Sequence, residues 1–245
     1  MCAVAPFGMD DIGPSGQERA VVSGGHRSLF APIGIFLALS GSALIAVAMT
    51  HEGAPQPPAT AAGSIDTPSS PAVITSSTIV EQTLPRSKPV ELDIPSIAVH
   101  SSLLSLGVND DGTIEVPSGT SYDEAGWYKF SPTPGSLGPA IILGHVDSGA
   151  RGASVFFELG HLRPGNRVMV TRLDRSVAVF EITGVRRYAK VRFPTRLVYG
   201  NTDHAALRLI TCGGSFDYST GHYVDNVVVF ATLVDQAPGQ HLRAA

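Results

Sequence analysis

From Lys88 onward, apolar residues recur at every second position in short runs, and turn-forming residues break each run before it can lengthen. Val90, Leu92 and Ile94 open the pattern, which continues at Thr113–Val116, Ala140–Val146, Arg167–Leu173, Val177–Val185, Ala206–Cys212 and Asn226–Leu233. A period of two puts alternate side chains on opposite faces of a strand, one half-buried and one wet. Asp110-Asp111-Gly112, Pro134-Gly135 and Pro164-Gly165-Asn166 mark turns between the runs. Asn226–Leu233 is apolar on both faces, so it is expected to be a central strand covered on each side. Only Ser154–Gly160 reads as a short helix. With 26 Gly, 18 Pro and 7% aromatics, the composition also favours turns and short strands over long helices. Strands at this spacing over 88–236 imply an all-β domain, a closed or nearly closed β-barrel of seven or eight strands.

The barrel accounts for only part of the chain. Residues 29–50 form an apolar run without a charge, long enough to cross a bilayer as one transmembrane helix. A cleaved signal peptide is the rival reading, but the run exceeds an ordinary signal core and follows an arm of 28 residues. Arg19 and Arg27 precede the run, and the next basic side chain after it is Arg86. That bias predicts a cytoplasmic, disordered arm over 1–28 and an extracytoplasmic barrel on a single-pass anchor in the cell membrane. Residues 51–87, rich in Pro, Ala, Ser and Thr, are expected to be a mobile linker, and 237–245 a disordered tail. A net charge of −4 offers no electrostatic footprint for nucleic acid. The two cysteines, Cys2 and Cys212, lie at opposite ends of the chain, so no disulfide framework is expected.

Cys212 ends the strand AALRLIT and is followed by Gly213-Gly214. Two glycines beside a thiol leave room for a substrate carbonyl and let backbone N–H groups turn toward a developing oxyanion. His145 ends the strand AIILG within GHVDS. A cysteine nucleophile needs a group that favours the thiolate and then protonates a leaving amine, and imidazole can do both. Taken singly, each residue has an ordinary reading: a buried cysteine packs as a small hydrophobe, and a lone histidine is often structural.

The words around these residues form a larger pattern. GWYKFSPTPGSLGPAIILGHVDS, RFPTRLVYG and LRLITCGGSFDYSTGHYVDNVVVFATL resemble the sortase family, most closely its class F enzymes from high-GC Gram-positive bacteria, the actinobacteria. ELDIPSIAVHSSLLSLGVNDDGTIEVP resembles the family's opening strands. The resemblance implies an eight-stranded sortase-type barrel with one or two short helices, preceded by a membrane anchor. It also implies a cysteine transpeptidase with His145 and Cys212 as catalytic residues and no cofactor or metal. On this reading Cys212 attacks a Leu-Pro-x-Thr-Gly-like sorting signal on a surface protein and forms a thioacyl intermediate. An amine of the cell envelope, such as a cell-wall precursor, then resolves it.

One part of the family pattern is missing. Sortases carry a catalytic Arg near the final strand, and Gly213–Ala231 contains none; Val224, Asp225 and Asn226 stand near that position. Asn226 could supply a neutral hydrogen bond, and Arg208, four residues before Cys212, could reach the site along the same strand face. Each also reads as an ordinary strand residue. Asp147 is expected to shape the turn after His145 or to orient its ring. Tyr223 and His222 are candidates to face the site, and Trp127 and Tyr128 either line a groove or pack the core. An L,D-transpeptidase is disfavoured because Cys212 lies in Ile-Thr-Cys-Gly, and a papain-like hydrolase because His145 precedes Cys212. The alternative from another class is a membrane-tethered, non-catalytic β-barrel that binds envelope ligands.

Overall fold

In the computed structural model of the chain, residues 53–57 and 83–238 are described. The expected arm and transmembrane helix, much of the linker and residues 239–245 lie outside them. Among the described residues no helix is long and apolar enough to cross a membrane.

Among the described residues ten strands form: β1 (Pro89–Ile94), β2 (Val99–Leu106), β3 (Ala125–Tyr128), β4 (Gly138–Leu143), β5 (Asp147–Ser148), β6 (Gly152–Ala153), β7 (Arg167–Arg172), β8 (Ser176–Ala189), β9 (Ala205–Asp217) and β10 (His222–Pro238). Eight of them close a barrel in the order β1-β2-β3-β4-β9-β10-β8-β7, while β5 and β6 form a separate two-stranded ribbon. Two of the barrel pairings, β2 with β3 and β4 with β9, are parallel. Closure leaves no exposed sheet edge.

The alternation explains which faces are buried. Leu92, Ile142, Val168, Phe180, Leu209 and Val229 point into the barrel and pack together. The opposite faces of β4, β9 and β10 carry Ile141, Leu143, Ile210 and Val228, which form a second apolar cluster outside the barrel. These strands are therefore largely apolar on both faces, and Val227, Val228 and Val229 of β10 are buried, as expected of a strand covered on each side. Val198 of the α-helix α1 (Thr195–Tyr199) belongs to this outer cluster.

The structure corrects several local expectations. Thr113–Val116 is not a strand but contributes a single bridge, Ile114 to Val108. The Asp111 carboxylate turns back onto the Thr113 amide, and Glu115 accepts a bond from the Gly107 amide, so local side-chain bonds replace a ladder. The helix expected over Ser154–Gly160 reduces to a 3-10 segment, Phe157–His161, while α1 follows Pro194. The AGWY strand β3 is too short for alternation to reveal. Trp127 is a core residue whose indole N–H donates to the Pro132 carbonyl at 3.1 Å, and Tyr128 packs in the outer cluster.

Two described parts of the expected mobile linker pack against the barrel. Leu84 is buried in the core and its amide donates to Gly135 O at 2.7 Å. Pro85 O accepts from the buried Arg172 guanidinium at 2.6 Å. Residues Gly53–Pro57 lie beside Cys212, where Ala54 packs with Val146 and the cysteine. Composition alone missed these contacts because each depends on one or two residues.

Candidate active site

The parallel pairing of β4 and β9 builds the site. Leu143 pairs with Ile210, and the Gly144 amide still donates to Ile210 O at 3.2 Å. Continuing that register by two residues brings His145 beside Cys212, at the same end of both strands. Cys212 shares the outer face of β9 with Arg208 and Ile210, and it caps the row. A bulge follows at once, since the β9–β10 register shifts between Tyr223 and Asp225. Gly214 sits there at φ +76°, a backbone conformation that favours glycine, and a Cβ would also run into the Asp225 carboxylate.

His145, Cys212, Asp147, Tyr122, His222 and Tyr223 are among the residues lining one cleft of about 300 Å³. His145 Nε2 lies 2.8 Å from Pro117 O. A carbonyl can only accept, so Nε2 carries the hydrogen, and Nδ1 is the ring nitrogen left to exchange a proton. The ring stacks on Tyr122 with centroids 3.9 Å apart and planes 2° from parallel. The Tyr122 hydroxyl donates to Asp147 O at 2.9 Å, and the Asp147 carboxylate accepts from the Tyr223 hydroxyl. Asp147 thus steadies the imidazole through Tyr122 rather than by touching it.

Burial lowers the pKa of His145, and the bond to Pro117 opposes that shift. As pH falls below the ordinary imidazole value of about 6.5, the unfolded chain takes up the proton before the folded one. The stability held by neutral His145 is therefore complete above that value and is lost as pH drops toward the folded pKa. Between about pH 7.5 and 5.5, wild-type Tm should fall relative to that of His145→Gln, as read by circular dichroism. A Tm difference that does not move with pH would remove the burial argument.

The Cys212 sulfur is in disulfide form in the structure, and it stands here for the thiol of the reduced protein. Lys190, directly after β8, places Nζ 3.5 Å from Sγ. Burial lowers the pKa of this ammonium, and Asp225 opposes the shift. On the remaining side, the Gly214 amide donates at 2.8 Å to Gln56 Oε1. A substrate oxygen seeking that amide must displace Gln56.

The two candidates for the third group are placed differently. Asn226 is opposite Cys212 in the β9–β10 register, is 2% exposed, and its Oδ1 is buried without a hydrogen-bond partner. Arg208 is on the same face as Cys212, but its guanidinium lies 4.6 Å over the Phe230 ring and donates to Leu207 O. It lies four positions before Cys212 along the strand, on the order of 13 Å away. Burial lowers its pKa to about 10, which leaves it a cation at neutral pH. Tyr122, Lys190 and Gln56 carried no sequence signal. Among the described residues, the acidic and histidine ligand atoms that converge belong to Glu91, Asp93 and His100, on β1 and β2 rather than in the cleft.

No curated protein sequence matches the chain. Solved structures similar to it include a sortase transpeptidase from Clostridium perfringens at 20% identity, covering 60% of this chain and 79% of that one, with a TM-score of 0.44. A sortase from Actinomyces oris is 20% identical over 66% of this chain and 89% of its own, with a TM-score of 0.47. A Streptomyces coelicolor sortase with a tripeptide in its active site is 15% identical over 64% and 93%, also at 0.47. The sortase-domain family model matches residues 92–234, which hold both His145 and Cys212. With more than half of its length in that match, this chain belongs to the sortase family.

Proposed function

We propose that this protein is a class F-like, membrane-anchored sortase that cleaves a Leu-Pro-x-Thr-Gly-like signal on surface proteins and transfers them to an amine of the cell envelope. The observation that carries this reading is the parallel β4–β9 pairing, which brings the ends of the GHVDS and ITCGG strands together in one cleft. The Cys212 thiolate attacks the Thr carbonyl carbon, and the π electrons move to oxygen. Collapse of that oxyanion breaks the Thr–Gly C–N bond. His145 Nδ1 delivers a proton to the leaving Gly amine, which leaves a thioester on Cys212. The incoming amine attacks the thioester carbonyl carbon and gives a proton to Nδ1, and the C–S bond breaks to restore the Cys212 thiolate. The uncharged run 29–50 supports a membrane anchor, and the aromatic side chains of Tyr122, Phe216 and Tyr223 that line the cleft suit a peptide.

The test uses the reduced full-length protein in detergent micelles, mixed with Leu-Pro-x-Thr-Gly peptides varied at x and a glycine-based amine. Intact-protein mass spectrometry should show an acyl adduct mapping to Cys212, and the peptide pool should show amine-exchanged product. A folded protein that forms no adduct with any peptide, and whose Cys212 resists mild alkylation, would instead be a binding module.

A further inference from the structure

A cation approaches Cys212 from the β8 side of the barrel, whereas His145 follows β4 on the other side of β9. Across the central strand, Tyr188 of β8, Asn226 of β10 and Cys212 of β9 are in register, and Ala189, Asp225 and Gly213 form the next row. β8 ends at Ala189, so Lys190 leaves the sheet one residue later and its side chain returns over β10 toward the sulfur. We propose that Lys190 is a catalytic residue of this sortase, its ammonium donating to the Cys212 thiolate and holding it in the charged form.

The proposal rests on the reading of Cys212 as nucleophile and goes beyond it by naming the cation that the sequence left unassigned. An ammonium within hydrogen-bond reach of a sulfur favours thiolate over thiol. Lys190 passes no proton in the reaction. When Cys212 ionises, its proton goes to His145 Nδ1 or to water, and Lys190 supplies charge alone. Other nearby cations are engaged elsewhere: Arg187 Nε lies 3.4 Å from Asp225, and Arg208 lies over Phe230. Asn226, opposite Cys212, is neutral and cannot provide the charge. The half-buried position of Lys190 reduces the water that would screen the pair. Asp225 is the acidic neighbour that keeps the lysine protonated against burial.

The thiol titration reports on the groups around the sulfur: His145 beyond β4, Lys190 after β8, Asp225 and Tyr223 on β10, and Asp147 and His222 around the cleft. Substituting Lys190 while keeping the others isolates its part. Reduced full-length protein in micelles would be alkylated with iodoacetamide across pH, with Cys212 read as its own peptide by mass spectrometry. Acyl-adduct rates would be measured on the same samples.

Lys190→Met should raise the Cys212 titration midpoint by at least about one pH unit, which corresponds to a tenfold loss of thiolate below the midpoint. Acyl-adduct formation should fall by roughly 10–10²-fold, and Lys190→Arg should keep the midpoint near wild type. If Lys190→Met does not fold, Lys190→Gln makes the same comparison. Superimposed titrations and equal adduct rates for wild type and the neutral variant would overturn the role of Lys190 and leave Cys212 as nucleophile. A wild-type Cys212 that titrates as an ordinary thiol and forms no adduct would overturn both readings.

Discussion

Cys212→Ala should abolish the acyl adduct and reduce amine-exchanged peptide to background, and His145→Gln should lower its formation by roughly 10²–10⁴-fold. The cysteine effect is total because the thioester bond needs sulfur. The histidine effect is graded, because water can still protonate a departing amine slowly. Glutamine keeps a donor that can reach Pro117 O but cannot carry a proton in and out as Nδ1 does. The two residues serve one bond-breaking step, so the double variant should be no slower than Cys212→Ala alone. Peptide mass spectrometry at matched protein concentrations checks all three. Residual turnover in Cys212→Ala would place the nucleophile elsewhere, and full activity in His145→Gln would place the proton donor elsewhere.

Phe180→Ala should be the most damaging single change to the fold. The side chain is fully buried inside the barrel on β8, between Val168 of β7 and Leu233 of β10. Deleting a buried phenyl group forfeits its transfer energy and leaves a cavity, a loss of about 3–5 kcal/mol. For a protein of this size that corresponds to a fall in Tm of roughly 6–20 °C, measurable by circular dichroism. A loss below about 1 kcal/mol would mean that the interior collapses around the gap instead of being close-packed.

The contrast between what alternation reveals and what it hides follows from the range of each interaction. Period-two patterning made the all-β class legible, because burying one face of a strand requires it. Asn226–Leu233 was legible as a central strand for the same reason: a strand covered on both faces has no polar residues to alternate. GHVDS and ITCGG were legible because the site places a histidine and a glycine-flanked cysteine at two strand ends. Failures occurred where short-range bonds compete with the ladder. At Thr113–Val116, carboxylates of Asp111 and Glu115 take backbone amides that a strand would have paired.

By itself, then, the sequence determined the barrel class, the central strand and the two residues of the proposed chemistry, since each is encoded by local pattern. Only the tertiary structure decided how those residues meet, because the parallel pairing of β4 with β9 joins segments more than 60 positions apart. It also decided the surroundings of the sulfur. Tyr122 stacks on His145 from a loop without a motif, Gln56 takes the Gly214 amide from the linker, and Lys190 crosses the central strand from the end of β8. Arg208 shares the cysteine's face in sequence, yet its side chain lies over Phe230. Strand alternation fixes the face a side chain leaves from, while its destination depends on neighbours supplied by other strands.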